Sequence, residues 1–443
     1  MVFEKIGLQV PKILLPKQGT DMQSWAVIAC DQYTSDQTYW QRLERQTAAN
    51  ISTLNLVFPE VYLDDDDTEE RIVAINRTME EYLADGSLVE QPPGFILVDR
   101  KTSAVESRKG LIVALDLEQY DYTQGAKSLI RATEGTILDR LPPRIKVREH
   151  APIELPHIMV LLDDPERTVI EPLFNENLEV AYDFELLENG GHIKGYRVDQ
   201  PELINRVAAA LERLADPDTY RDKYGNDNVM LYAMGDGNHS FATAKAIWEK
   251  LKQEADDPVQ IMNHPARFAL VELVNVHDSG LEFEAIHRVL FNVNCVHLRQ
   301  QMETFFAARK TPLTFTLCAD LVEAESVADG SEGAHSFPMV LGGKFAACVV
   351  ENPEYTLTVA TLQAFLDQYL EDNPTARIDY IHGEKAVTDL GSETGCVGFY
   401  LPAISKHDLF KTIVLDGALP RKTFSLGEAD EKRFYLECRR IKA

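Results

Sequence analysis

The chain has 443 residues, 45% of them apolar and 26% charged, an ordinary globular composition that can bury a sizeable core and is neither collagen-like nor disordered. Its 71 acidic and 44 basic residues leave a formal net charge of −27. A surface that negative repels phosphate backbones and anionic lipid, which disfavours nucleic-acid and membrane binding and sends any anionic ligand to a local basic pocket.

The first stretch, MVFEKIGLQVPKILLPKQGT, lacks the apolar core and small-residue cleavage site of a secretory signal, and no apolar run reaches the ~18 residues of a membrane span. Cys30, Cys295, Cys318, Cys348, Cys396 and Cys438 form no CxxC pair, so reduced thiols in a cytoplasmic protein are expected. WAVIAC at 25–30 reads as a buried strand running into Asp31, Gln32, Tyr33 and Thr34, followed by a helix over about 35–45 with Ser35 as its cap. The acids at 64–67 before Thr68 read as a turn feeding a helix, whose positive dipole end suits them, or as a cation site. Residues 95–115 read as paired strands. Residues 127–140 read as a helix broken at Gly135 and ended by Pro142 and Pro143. PHIMVLLDD is a buried strand, and 170–200 a β-meander around Asn189-Gly190-Gly191. Residues 200–215 give the clearest helix, with Asp199 as cap, Pro201 in the first turn, and Leu203, Ile204, Val207, Leu211 and Leu214 on one face. HRVLFNV is a further strand, and the small, acidic stretch 319–336 a loose loop. The last hundred residues alternate a strand (KFAACVV), a helix around 361–370, a strand (GCVGFYL) and FYLECRRI. Interspersed strands and helices predict an α+β, mixed α/β fold. The expected segments are 1–125, 126–295 and 296–443.

The strongest chemical signal is VMLYAMGDGNHSFATAKAIWEKLK. A strand-like apolar run ends in Gly235-Asp236-Gly237-Asn238-His239, and Ala244, Ile247, Trp248 and Leu251 then give one helical face. A strand–glycine loop–helix unit offers free backbone N–H groups and the positive end of a dipole to an anion. Asp236 and His239 add a carboxylate and an imidazole suited to metal holding or proton transfer. The alternative is a plain helix start in which Asp236 or Ser240 only caps.

DGNHSFATA resembles the DGHHRYE-type box of the domain-of-unknown-function 1015 family, which is grouped with ParB, sulfiredoxin and free-serine kinases. ACDQYTSDQTYW is similar to that family's PPYDV-type segment without its prolines. IRATEGTILDR is similar to its IxxHExT…DR segment, with Thr133 where a His is usual. FEAIHRVLF resembles its PTHRV segment and LPRKTF its MPxKST segment. The boxes share order and approximate spacing over nearly the whole chain. The resemblance implies a ParB/sulfiredoxin-like core, elaborated by N- and C-terminal α/β segments, whose loop binds a nucleotide such as ATP or ADP, or a phosphorylated metabolite. Asp236, Gly237, Asn238 and His239 would then line a phosphate site with Gly235 and Ser240, and magnesium would bridge the phosphates at Asp236.

One departure stands out: the family's HHR is Asn238-His239-Ser240 here, so a guanidinium that would clamp phosphate is replaced by a hydroxyl. Either another cation compensates, or this member binds something different or has lost activity. Candidates to compensate are His287-Arg288, Arg140, Arg144, Lys146, and the basic–hydroxyl cluster Arg421-Lys422-Thr423. Glu134 occupies the matched position for a general base, with Asp31 and Asp236 as alternatives. No P-loop, protein-kinase signature, HExxH, GxSxG or complete GxGxxG is present. The resulting expectation is phosphoryl transfer to a small hydroxyl compound such as serine. A non-catalytic nucleotide or metabolite sensor comes second and a ParB-like DNA-associated regulator last.

Overall fold

A computed structural model describes residues 1–63, 65–123, 125–135, 141–329 and 333–442. The chain divides into two compact units: Met1–Glu282 joined by Leu426–Ala443, and Phe283–Ser425. Helices and strands alternate in both, so the fold is mixed α/β.

After the short strands Val2–Phe3, Leu8–Gln9 and Leu14–Pro16, the strand expected over 25–30 shrinks to Val27–Ile28 (β1), because Trp25 ends a short helix, Met22–Trp25, capped by Asp21; the helix Gln37–Thr47 (α1) follows. Asp36, not Ser35, caps α1: its carboxylate accepts from the Tyr39 N–H at 3.1 Å and the Thr38 hydroxyl at 2.5 Å. A carboxylate takes two donors where a serine offers one weaker acceptor. Thr68–Ala84 (α2) follows the acidic run as expected, with Glu69 and Glu70 in its first turn. Phe95–Lys101 (β2) and Arg108–Asp116 (β3) form the expected antiparallel pair. Tyr120–Asp121 (β4) and Ile130–Arg131 (β5) are short strands.

The helix expected over 127–140 is thus a strand at its start, and 136–140 lie outside the described residues. Pro142 and Pro143 begin a helix, Leu141–Arg148 (α3), rather than end one. First-turn N–H groups have no intrahelical partner, so proline loses nothing there and its φ is already helical. Next come Met159–Leu162 (β6) and the hairpin Val180–Glu185 (β7) with His192–Val198 (β8). Its turn holds Asn189 at φ 60° and Gly191 at φ 80°. Pro201–Leu214 (α4) starts at Gln200 with no side-chain cap, so Asp199 does not serve as one. Tyr232–Asp236 (β9), Asn238–Glu254 (α5) and Phe268–Asn275 (β10) complete this part.

Among the described residues β2 to β10, with the short strands Val2–Phe3 and Leu8–Gln9 beside β3, form an eleven-stranded sheet whose main path runs β7-β8-β2-β3-β10-β6-β9-β5-β4. Phe95, Leu97, Leu111 and Val113 face one apolar core, while Ile96, Val98 and Ile112 face another. The sheet is buried on both faces, which explains its near-continuous apolar strands. β9 runs parallel to β5 and antiparallel to β6, with Met159 opposite Asp236. The ends of β9 and β5 and the start of β6 therefore meet at one margin of the sheet.

The second unit carries Glu284–Phe291 (β11), Cys295–Ala308 (α6), Leu313–Cys318 (β12), Leu321–Asp329 (α7), His335–Leu341 (β13), Lys344–Val350 (β14), Thr358–Asp372 (α8), Arg377–His382 (β15), Glu384–Gly391 (α9) and Cys396–Phe399 (β16). Its sheet runs β12-β14-β13-β16-β11-β15 with antiparallel neighbours. Phe305, Phe306 and Phe365 of α6 and α8 pack together in its core. The loose loop expected at 319–336 instead contains α7, whose Ala324 and Ala328 are buried. Small side chains are strong helix formers and allow close packing, which outweighs the acidic composition.

The chain then returns to the first unit. Phe434–Tyr435 (β17) pairs with β1, setting Tyr435 opposite Val27, and Arg439–Arg440 pairs with Ile153–Glu154. Arg433 is 3% exposed at its side chain and lies 2.6 Å from Glu272, with Glu437 on its other side. Among the described residues no helix is long and apolar enough to cross a membrane.

Candidate functional site

The glycine loop forms as its sequence pattern suggests. β9 ends at Asp236, Gly237 takes φ 78°, and α5 begins at Asn238 with no side-chain cap. The capping alternative for Asp236 or Ser240 is thus not realised. The first helical bond runs from the Phe241 N–H to the Gly237 carbonyl at 3.0 Å, leaving the N–H groups of the first turn at the positive end of a seventeen-residue helix. Asp236 Oδ1 accepts from the Gly237 N–H at 2.9 Å, and Oδ2 lies 3.3 Å from Lys432 Nζ. Asn238 Nδ2 donates to Thr133 Oγ1 at 3.4 Å, while its Oδ1 is buried with no hydrogen-bond partner. Gly235 sits in β9, where a Cβ would lie 3.0 Å from Leu161.

Gly237 has two reasons to be glycine: its positive φ, and an added Cβ only 3.1 Å from the Ile158 Cα. Gly237→Ala should cost about 1–2 kcal/mol in urea unfolding and displace the start of α5 from β6. An unchanged midpoint would show that the loop relaxes freely.

Beside the loop lies a group the sequence did not reveal as a site. His157, just before β6, is 8% exposed. Its Nε2 is 3.2 Å from Ser240 Oγ and 3.4 Å from Asp31 Oδ2. Its Nδ1 is 2.7 Å from the Tyr435 hydroxyl, which donates to Cys30 Sγ at 3.0 Å. A tyrosine that donates to the thiol must accept from the imidazole, so Nδ1 carries a proton. Burial alone would lower the His157 pKa, but the adjoining Asp31 charge outweighs it and holds the imidazolium above its ordinary value. Burial likewise opposes ionisation of Asp31, yet His157 draws its pKa well below the carboxylate range. Cys30 is pushed up by burial and by the Asp31 charge, so its thiol stays protonated.

A cavity of about 140 Å³ opens from this pair. Its wall is mostly apolar, with Leu56, Val57, Phe58, Met79, Ala151 and Ile153 among its residues. Two ion pairs lie in the wall, Glu60–Arg144 and Arg148 with Glu154 at 2.5 Å. Burial raises the Glu60 pKa despite Arg144.

The structure thus gathers Gly235, Asp236, Gly237, Asn238, His239 and Ser240 with Asp31, His157, Lys432 and Tyr435 in the first unit. Glu134 follows Thr133, the acceptor from Asn238, and is half-buried. Arg140 lies outside the described residues. Lys146 pairs with Glu69 at 3.0 Å on the surface. His287, Arg288, Arg421, Lys422 and Thr423 belong to the second unit. Arg288 is fully buried and donates to the carbonyls of Ile286, Lys422 and Arg421, which makes it an internal tie of that unit. His287 accepts the Leu401 N–H at 3.0 Å and is pushed down to about 4 by burial and by Arg288, so it is neutral near pH 7. Thr423 donates to the Pro420 carbonyl at 2.6 Å, and Arg421 Nη2 lies 3.7 Å from Asp367.

His157, Tyr435, Lys432 and Glu60 escaped the sequence reading. No signal in the single sequence could have found them, because they reach the loop through strand pairings distant in the chain.

Solved structures similar in fold include a free serine kinase variant in complex with AMP, at 10% identity and TM-score 0.38, covering 75% of this chain and 91% of that one. A conserved hypothetical protein from Pyrococcus furiosus aligns at 11% identity and TM-score 0.35, covering 75% and 95%. A search of curated sequences found no match. The profile described as Protein of unknown function (DUF1015) matches residues 14–369, and the chain belongs to that family.

Proposed function

We propose that this protein binds a nucleotide, ATP or ADP, or another phosphorylated small molecule at the start of α5 and transfers a phosphoryl group to a small hydroxyl compound in the cytoplasm. One observation carries the reading: the uncapped start of α5 opens into a cluster in which three of the acids each have a cation. Asp31 is matched by His157, Glu60 by Arg144 and Asp236 by Lys432. The helix dipole is then the uncompensated local field, in a protein whose formal charge is −27. The donors at hand are the first-turn N–H groups, the Ser240 hydroxyl, His157 and Lys432. They are the answer to the arginine missing at position 240. The same loop supports kinship with the ParB and sulfiredoxin folds, with 126–295 as the core.

In the transfer, the substrate hydroxyl oxygen bonds to the terminal phosphorus, the bridging P–O bond breaks and the shortened nucleotide leaves. The hydroxyl proton passes to a carboxylate, Glu134 or Asp31, in the positioning role such groups play in kinases. Magnesium would be held at Asp236 only by displacing Lys432 from it; the carboxylate is a third exposed at its side chain, and this ion takes one or two carboxylates with phosphate oxygens. Bound there, it would neutralise phosphate charge.

A thermal-shift series with ATP, ADP and pyrophosphate, each with and without magnesium, tests the proposal. Ligand at about 100 times its dissociation constant should stabilise by ~2.7 kcal/mol, and Asp236→Asn should remove the magnesium-dependent part. No shift with any of these would end the phosphate reading. A second reading has its own support: Asp31 is locked to His157 and drawn low, which makes it a weak base. A non-catalytic sensor would show the same shifts without turnover.

A further inference from the structure

We infer that the hydroxyl compound taken by this site is an apolar alcohol, with a body of about six carbon atoms seated in the cavity beside His157. The inference rests on the phosphoryl-transfer reading and replaces serine as the acceptor. Three observations carry it. The cavity measures about 140 Å³, and apolar cavities near 150 Å³ take benzene. Its wall is apolar, from Leu56, Val57 and Phe58 through Met79 of α2 to Ala151 and Ile153. The charged groups in that wall are each matched, Glu60 by Arg144, Arg148 by Glu154, and His157 by Asp31 behind it, so a guest inside meets no surplus charge. The ammonium and carboxylate of serine would have to leave water for a site that offers neither an uncommitted partner.

At one end of the cavity the chemistry changes. His157 Nε2 and Ser240 Oγ, 3.2 Å apart, both line it, and Ser240 belongs to the first turn of the phosphate helix. An alcohol with its body in the cavity therefore presents its oxygen to the imidazole and to the start of α5. The arrangement matches small-molecule sites in general, where a few polar groups orient an otherwise apolar guest.

Fluorine NMR of 4-fluorobenzyl alcohol with the full chain is the test, with benzyl alcohol, cyclohexylmethanol, ethanol and serine as competitors. We expect benzyl alcohol and cyclohexylmethanol to displace the probe, ethanol to be weaker by about fourfold per missing methylene, and serine to be without effect. Ala151→Phe, which fills the cavity, should weaken probe binding at least tenfold. Met79→Ala, which enlarges it, should shift preference toward 2-naphthylmethanol. Equal competition by serine, or probe binding unchanged in both variants, overturns the inference. Pyrophosphate binding, followed on the same samples, separates the two ideas. Probe binding without pyrophosphate binding sinks the phosphate reading alone, and the reverse result sinks the alcohol alone.

Discussion

Arg433→Met should destabilise the first unit by about 3–5 kcal/mol, the usual cost of removing one partner from a buried charge cluster. Arg433 is buried between Glu272 and Glu437 and also donates to the Pro156 carbonyl at 3.3 Å. Burial opposes the Glu272 charge, but Arg433 more than offsets it and holds that pKa below its ordinary value. Removing the guanidinium leaves two buried carboxylates that repel each other. Guanidinium-chloride unfolding of the full chain would read the loss. Adding Glu272→Gln and Glu437→Gln to Arg433→Met should recover part of it, because neutral amides carry no desolvated charge. Loss below about 1 kcal/mol would mean that water reaches the cluster. Glu272 also gives the effect a pH signature. A depressed carboxylate stabilises above its unfolded pKa of about 4.3 and loses that contribution as pH falls through the folded value. The variant should therefore lose its deficit in acid.

His157→Gln should weaken pyrophosphate binding by roughly ten- to fiftyfold near pH 7, the effect of an unmatched carboxylate several ångströms from an anion at an effective dielectric near 20. The imidazolium now offsets Asp31; without it, Asp31 faces the ligand alone and burial drives its pKa up. Binding by the variant should then recover as pH falls and Asp31 takes a proton. The native protein should show the opposite limb, losing affinity as pH rises through the elevated His157 pKa. The stability signs agree. A raised histidine contributes below its unfolded pKa of about 6.5, and a lowered aspartate above about 3.9. Between those values the native pair contributes in full. Calorimetric titration at pH 5, 7 and 8.5 would check both limbs, and a pH-independent variant would show that His157 does not control the charge at the loop.

The parts of this site that were legible in sequence are those built by neighbouring residues. The strand, the glycine loop and the apolar face of α5 all follow from spacing within some twenty-five residues, and α4 was equally plain. Asp31 could be placed just past a buried strand because WAVIAC precedes it, although only Val27–Ile28 of that run is a strand and Trp25 ends a short helix. Its partner could not, since His157 reaches it only because β6 pairs with β9 and the return strand seats Tyr435 against Cys30. Long-range pairing leaves no periodic trace in a single sequence. Pro142 and Pro143 misled for another reason: proline stops a helix from within and starts one from its first turn, and the same letters serve both. The acidic stretch that became α7 shows composition yielding to packing, through Ala324 and Ala328.

The second unit lies in the chain between the two pieces of the first, and this order has a consequence for synthesis. Arg433, Lys432 and Tyr435 are translated only after residues 283–425, so at 5–20 residues per second the ribosome holds an unfinished first unit for roughly seven to thirty seconds. During that interval Glu272 lacks the Arg433 guanidinium, His157 lacks the Tyr435 phenol and the strand Val27–Ile28 has an open edge. Ligand cannot settle at the finished site until the last strand closes, so competence to bind arrives as a single late event in the life of each molecule.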